Sequence, residues 1–268
     1  MLPLRDWLDM TWQDFADGEV ARWIAVLPLA AIEQHGPHLP LATDVFIADA
    51  YLARARALLP TKLPVTFLPM QAIGHSEEHT AFPGTLSLGA DTLARTLRDL
   101  GASVHAAGVR KLVLVNSHGG NWQTVELAAR ALRIEFRMLV VAVSWHRFGY
   151  PAGLFGDDEI LHGIHAGEIE TALVRAARPD LVRMAQARNF PSAGEAMEQE
   201  FKWLHLARPA GFGWMTQDLN PSGAVGNAAA ATPEQGEAAL AHGAAGFVEL
   251  LAEVDHFDLT RLRDDPLP

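Results

Sequence analysis

Continuous apolar runs alternate with amphipathic ones along most of the chain. Residues 23–31 (WIAVLPLAA), 111–116 (KLVLVN) and 138–144 (MLVVAVS) are apolar without alternation. A strand buried on both faces has that pattern, and VTFLP at 65–69 reads as another strand. The Ala-, Leu- and Arg-rich stretch 44–59 and the segments 89–107 and 121–136 carry helical spacing. A further helix is predicted from about Ile164 to just before Pro179, and a last one from Pro233 to about Val254, with TPEQ as its capping sequence. Strands and helices in alternation predict an α/β fold whose mostly parallel sheet is covered on both faces. Residues 185–231 break the pattern, mixing Pro, Gly, Trp and Phe with little periodicity. They read either as a long surface excursion or as a cover for a pocket or a subunit contact. With no repeat, low-complexity tract or linker, residues 1–268 are expected to form a single domain.

Composition narrows the chemistry. A chain that is 49% hydrophobic can bury a sizeable core. The 21 basic residues stand against 32 acidic ones, and a net charge of -11 argues against general nucleic-acid binding. Cysteine is absent, which excludes disulfide scaffolds, thiolate-bound metals and thiol nucleophiles. MLPLRDWLDM is too acidic and too short in apolar run for a signal peptide, and no stretch of about 18 apolar residues occurs, so a cytoplasmic protein is expected. Twelve histidines remain, and with Asp and Glu they are the available vocabulary for a metal site.

In open α/β sheets, sites form where loops leave the carboxyl ends of strands. Four such loops carry ionisable groups: Glu33, His35, His38 and Asp44 in AIEQHGPHLPLATD; His75, Ser76, Glu77, Glu78 and His79 in GHSEEHTAFPGT; His118 between Asn116 and Asn121 in NSHGGN; and His162, His165, Glu168 and Glu170 in HGIHAGEIET. Glu33 and His35 lie two apart, so an extended strand end points both the same way. Asp44 is also placed to be the N-cap of the helix that follows. Gly119 and Gly120 permit a sharp turn that exposes His118, and equally an ordinary strand-to-helix turn. On a helical wheel centred on Ile169, Glu170 falls among Leu173, Val174 and Ala177, whereas Glu168 falls opposite with Arg175 and Thr171. A carboxylate on the core side needs a cation or strong hydrogen bonds, which makes Glu170 a candidate metal ligand. Glu168 is expected to be solvated and to complement the helix dipole.

LPLAAIEQHGPHLPLATD, GHSEEHTAFPGTLSL, NSHGGN, HAGEIETA and GAVGNAAAATPEQG, in this order, resemble the creatininase (creatinine amidohydrolase) family over most of the chain. The resemblance implies a three-layer α/β/α sandwich, a pair of divalent metal ions (Zn²⁺, Mn²⁺ or Fe²⁺) and a homohexamer. It also implies hydrolysis of non-peptide C–N bonds in a cyclic amide, a formamide or another small amide; the acidic charge and the lack of a long apolar run leave neither nucleic acid nor membrane as an expected partner. Carried over by position, it implies Glu33, His35, Asp44 and His118 as metal ligands, with Asp44 bridging both ions. His165 matches a histidine that assists catalysis, and Ser76 and Gly119 match substrate contacts.

One departure matters. Creatininase carries a metal-ligating carboxylate two residues after the histidine, where this chain has Gly120. The helical wheel then nominates Glu170 to complete the second ion's shell, with a part in catalysis. The HGGN form resembles other branches, a formamide hydrolase acting on a formylamino-pyrimidine and the peptidase of mycofactocin maturation, so creatinine itself is not the expected substrate. The expected chemistry is attack by a metal-activated water, with His165 protonating the departing nitrogen. The rival readings are a metal-binding homologue without turnover and a dinuclear phosphoesterase. The acidic chain and the lack of Lys or Arg in the four loops oppose the latter.

Overall fold

The computed structural model describes residues 2–16, 18–263 and 265–266. In chain order its elements begin with α1 (Trp12–Ala16), β1 (Ile24–Leu29), α2 (Thr43–Leu58), β2 (Val65–Phe67), α3 (Ala90–Ala106) and β3 (Lys111–Asn116). They continue with α4 (Trp122–Phe136), β4 (Leu139–Ser144), α5 (Asp157–His162), α6 (Glu168–Ala177), β5 (Asn189–Phe190), α7 (Ala193–Glu200), α8 (Thr216–Leu219), β6 (Gly226–Asn227) and α9 (Pro233–His256).

Parity along the strands decides the layers. In β1 and β3, Ile24, Val26, Val113 and Val115 enter one core cluster, whereas Ala25, Leu27, Leu112 and Leu114 enter the other. Successive side chains leave opposite faces, so a strand covered on both sides must be apolar throughout. The sheet order is β2-β1-β3-β4, every neighbour pair parallel. Leu93 and Leu97 of α3 and Val125 and Leu132 of α4 cover one face. Tyr51 of α2, Leu173 of α6 and Phe247 of α9 cover the other. The result is a three-layer α/β/α sandwich. Thr232 and Gln235 form the capping box that opens α9.

Two local expectations need correction, one helix was not anticipated, and one open reading is decided. β4 is half-buried over its first four residues, because it is an edge strand with a single neighbour. The helix expected from Ile164 starts at Glu168. His165 pairs with Val225 through reciprocal backbone hydrogen bonds (3.3 and 2.7 Å), Ala166 has φ 55°, and Gly167 is extended, so the chain cannot be helical there. The short helix α5 precedes this turn, and its buried Glu159 accepts from the N–H groups of Glu168 (2.6 Å) and Asn227 (2.9 Å). The 185–231 segment is also more than a surface excursion, since Ala224 and Val225 within it are fully buried. Among the described residues no helix is long and apolar enough to cross a membrane.

Candidate metal centre

The four loops converge at the carboxyl edge of the sheet, and buried amides hold them there. Asn121, 1% exposed, donates to the carbonyl of Ala30 and to Oδ1 of Asn116 (both 3.1 Å), and accepts from the N–H of His75 (2.8 Å). One side chain thus ties together the loops that follow β1, β2 and β3. Such groups cannot be left unpaired in the interior, so their pairing fixes the loops. After Glu33 the chain reverses at Gly36 (φ 64°), where a Cβ would meet Ala224 at 2.7 Å.

Glu33, fully buried, sits at the centre of the resulting cluster. Its Oε1 lies 3.2 Å from His118 Nδ1, 3.3 Å from His79 Nε2, 3.8 Å from His165 Nδ1 and 3.9 Å from His35 Nε2. Asp44 places Oδ1 3.8 Å from His35 Nε2 and Oδ2 3.6 Å from His118 Nδ1. Glu170 Oε2 lies 3.7 Å from His35 Nε2 and accepts from the N–H of Ala166 (2.6 Å). Three trios have donor atoms close enough together to share an ion: Glu33–His35–Asp44, His35–His165–Glu170 and Glu33–His79–His165.

The orientation of the imidazoles is informative. His35 Nδ1 donates to the carbonyl of Glu33 (3.1 Å), His118 Nε2 to that of His75 (2.9 Å) and His165 Nε2 to that of Gln34 (2.8 Å). Carbonyls only accept, so each ring spends its N–H outward and turns its other nitrogen toward the carboxylates. Metal-ligating histidines are held in this way. Both oxygens of Glu33, Nε2 of His35 and Oδ2 of Asp44 are buried without a hydrogen-bond partner. Leaving such atoms unpaired is costly, and a divalent cation among them would satisfy all four. Mixed imidazole and carboxylate ligation suits Zn²⁺, Mn²⁺ or Fe²⁺, so these residues fit the implied metals.

Electrostatics point the same way. Burial opposes charge on His118, yet the carboxylates of Glu33, Asp44 and Glu78 outweigh it and push the imidazole up to about 10. Burial also works against the Glu33 carboxylate, but His118, His79 and His35 hold it below the usual range. Asp44 is driven well above that range by burial and by the neighbouring charge of Glu33. Burial raises Glu170 as well. This is a buried, electron-rich pocket that draws positive charge to its centre.

Several sequence-predicted residues sit differently from expectation. Asp44 is not a cap: Ala42 holds the N-cap position and Asp44 is the second helical residue, 1% exposed. Glu168 is half-buried rather than solvated, and accepts from Gln235 Nε2 (2.7 Å). Thr171, expected beside it on a solvated face, is fully buried and bonded to His38 Nε2 (2.9 Å), because α6 is packed on both sides. His162 pairs with Glu198 (3.7 Å), away from the cluster. Ser76 is buried with its hydroxyl 3.4 Å from His118 Nε2. Gly119 lines a cavity of about 340 Å³ whose wall includes Tyr51, Asn116, Trp145, Tyr150 and Glu170. No Lys or Arg lines it among the described residues.

Sequence reasoning gave no role to His79, Glu78 or Gln34. The GHSEEH motif placed the first two in a site loop, but only the turn Glu77–His79 shows that Glu78 and His79 face inward while Glu77 faces out. Gly36 N–H donates to Gln34 Oε1 (2.9 Å), which fixes that amide; its NH₂ then donates to His79 Nδ1 (2.8 Å). The Thr216 hydroxyl also meets His79 Nδ1 (2.9 Å), so that edge of the ring is held from two sides while Nε2 faces Glu33.

The creatininase family profile, described as creatinine amidohydrolase, matches residues 8–251. A mycofactocin precursor peptide peptidase from Mycobacterium ulcerans is 38% identical over 166 residues, 60% of this chain and 61% of that one. The chain thus matches about three fifths of the length of such relatives. A creatinine amidohydrolase from Pseudomonas putida is 33% identical over 208 residues, 69% of this chain and 76% of that one. Among solved structures, a manganese form of creatininase is 25% identical with a TM-score of 0.75, covering 93% of this chain and 98% of that one. A variant of creatininase has also been solved in a Zn-Zn form, with a TM-score of 0.74 and 26% identity over 92% of this chain and 97% of that one.

Proposed function

The chain belongs to the creatininase family, and from that premise we propose that it hydrolyses a C–N amide bond with two divalent metal ions held by Glu33, His35, Asp44, His118 and Glu170. The observation that carries this reading is the set of outward-pinned imidazoles around buried carboxylate oxygens that have no other partner. When bound, such ions acidify a water and polarise the amide carbonyl. Glu33 and Asp44 supply the negative charge that holds the cations. His165 moves a proton at Nδ1, because its Nε2 is committed to the Gln34 carbonyl. The cavity beside Glu170 and Gly119 orients a largely neutral substrate, since aromatic and aliphatic side chains dominate its wall.

A relative that is a peptide peptidase removes the ground for confining the substrate to non-peptide amides. Elemental analysis of the purified chain, followed by a panel of formamides, cyclic amides, short peptides and phosphate esters, tests the reading. Two equivalents of metal and turnover of an amide support it. Metal without turnover of any amide favours the non-catalytic reading, and turnover of the esters alone favours a phosphoesterase.

Glu170 and Glu168 separate cleanly by experiment. Glu170→Gln should leave about one ion per chain, with partial recovery of activity at high Mn²⁺ or Zn²⁺. Glu168→Gln should keep both ions and shift stability by about 0.5 kcal/mol or less, because the amide oxygen still accepts from Gln235. The reverse pattern in a metal titration would remove Glu170 from the ligand set.

We further propose a homo-oligomer, the hexamer of the sequence reading. Phe201, Trp203, Leu204 and Phe212 are exposed within the irregular segment, and apolar groups gathered on a surface mark contact sites. Trp203→Asp should lower the mass measured by light scattering; an unchanged assembly would exclude this segment from the interface.

A further inference from the structure

Gly120 lies so close to its surroundings that a Cβ there would sit 2.3 Å from Glu78 Oε1, 2.5 Å from His118 Nε2 and 2.6 Å from the His75 carbonyl. Position 120 is therefore a notch, and Glu78 reaches into it. The Glu78 carboxylate is largely buried, 17% exposed against 65% for the adjacent Glu77, and its Oε1 lies 3.5 Å from His118 Nε2 and 3.9 Å from His79 Nε2. Its backbone is fixed from a distant part of the chain: the Thr216 hydroxyl donates to the Glu78 carbonyl (3.1 Å), and Thr216 is 1% exposed.

We propose that Glu78 is the carboxylate that positions His118 for metal binding, standing behind the Nε2 edge of the ring while Nδ1 faces Glu33 and Asp44, and that Gly120 lacks a side chain so that Glu78 can reach it. His118 Nε2–H donates to the His75 carbonyl, and Glu78 lies on the same edge. The carbonyl takes the N–H and fixes the ring, and the negative charge of the carboxylate 3.5 Å behind the same edge makes the opposite nitrogen a better donor. Glu78 is thus a positioning residue and not a ligand, since it stands on the side of the ring away from Glu33 and Asp44. It also explains what this chain does with the space beside its HGG turn: the negative charge near His118 arrives from the loop after β2.

The inference rests on the metal reading above, and the experiment keeps the two apart. Mn²⁺ and Zn²⁺ affinities and stoichiometries are measured by competition with a chelator for the wild-type chain, Glu78→Gln, Glu78→Ala and the neighbouring Glu77→Gln, with thermal unfolding of each metal-free protein alongside. Both Glu78 variants should bind the same number of ions about 10–100-fold more weakly, the usual effect of removing such a partner. Glu77→Gln should match the wild type. Unchanged affinity in both Glu78 variants, or a change in metal-free unfolding alone, overturns the proposal. Loss of a whole equivalent also overturns it, by making Glu78 a ligand. A wild-type chain that binds neither ion defeats the metal reading itself.

Discussion

Asp44→Ala should reduce bound metal from two ions per chain to one or none and abolish amide hydrolysis. The side chain lies between His35 and His118, which arrive on different loops, and one oxygen faces each ring (3.8 and 3.6 Å). Helix capping is not at stake, because Ala42 holds that position. The stability consequence has an unusual sign. Burial and the Glu33 charge hold the Asp44 carboxyl well above its ordinary range in the folded chain. A carboxyl raised on folding is bound more tightly to its proton in the native state, so ionisation at neutral pH costs stability. Asp44→Asn should therefore unfold at a higher temperature than the wild type in the presence of chelator, and at a lower one when both are loaded with Zn²⁺ or Mn²⁺. Crossing melting curves would identify a residue kept for the metal at the expense of the fold. Full metal content in either variant would remove Asp44 from the site.

How much of this was legible in the sequence follows from the range of the forces involved. The buried strands were readable because double-sided burial demands apolar residues at consecutive positions, as in KLVLVN. The capping box of α9 was readable because its partners lie three residues apart. The loops that carry Glu33, His35, Asp44 and His118 were readable because they follow strands, and the structure brings the four together; their grouping as ligands came from the family resemblance, since local geometry alone read Asp44 as a helix cap. Residues governed by distant contacts were given no role or misread. Glu78 and His79 take their orientation from Thr216, far along the chain. The start of α6 depends on Val225 pairing with His165, and Thr171 is buried because His38 comes from another loop to meet it. A helix of six residues such as α5 is too short for periodicity to register.

His165→Ala should lower turnover by roughly 10²–10⁴-fold, the usual share of general acid–base catalysis, while two ions stay bound. His165 is the least settled of the imidazoles by geometry alone. Its ring lies between those of His35 and His79, with centroids 4.3 and 4.2 Å away, and its Nδ1 faces Glu33. Two of the three candidate metal trios include it. His35 and His118 each lie within 4.0 Å of both Glu33 and Asp44, whereas His165 lies within that distance of Glu33 and groups with Glu170 more loosely. An imidazole at the margin of the anionic centre can exchange a proton at Nδ1 while the Gln34 carbonyl keeps the ring from turning. The backbone supports this rigidity, since the pairing with Val225 and the Glu159 carboxylate on the N–H of Glu168 hold both sides of the loop. Metal content measured alongside kcat separates the roles. Two ions with slow turnover make His165 the proton carrier, and loss of one ion from His165→Ala would make it a ligand and leave the proton transfer to another group.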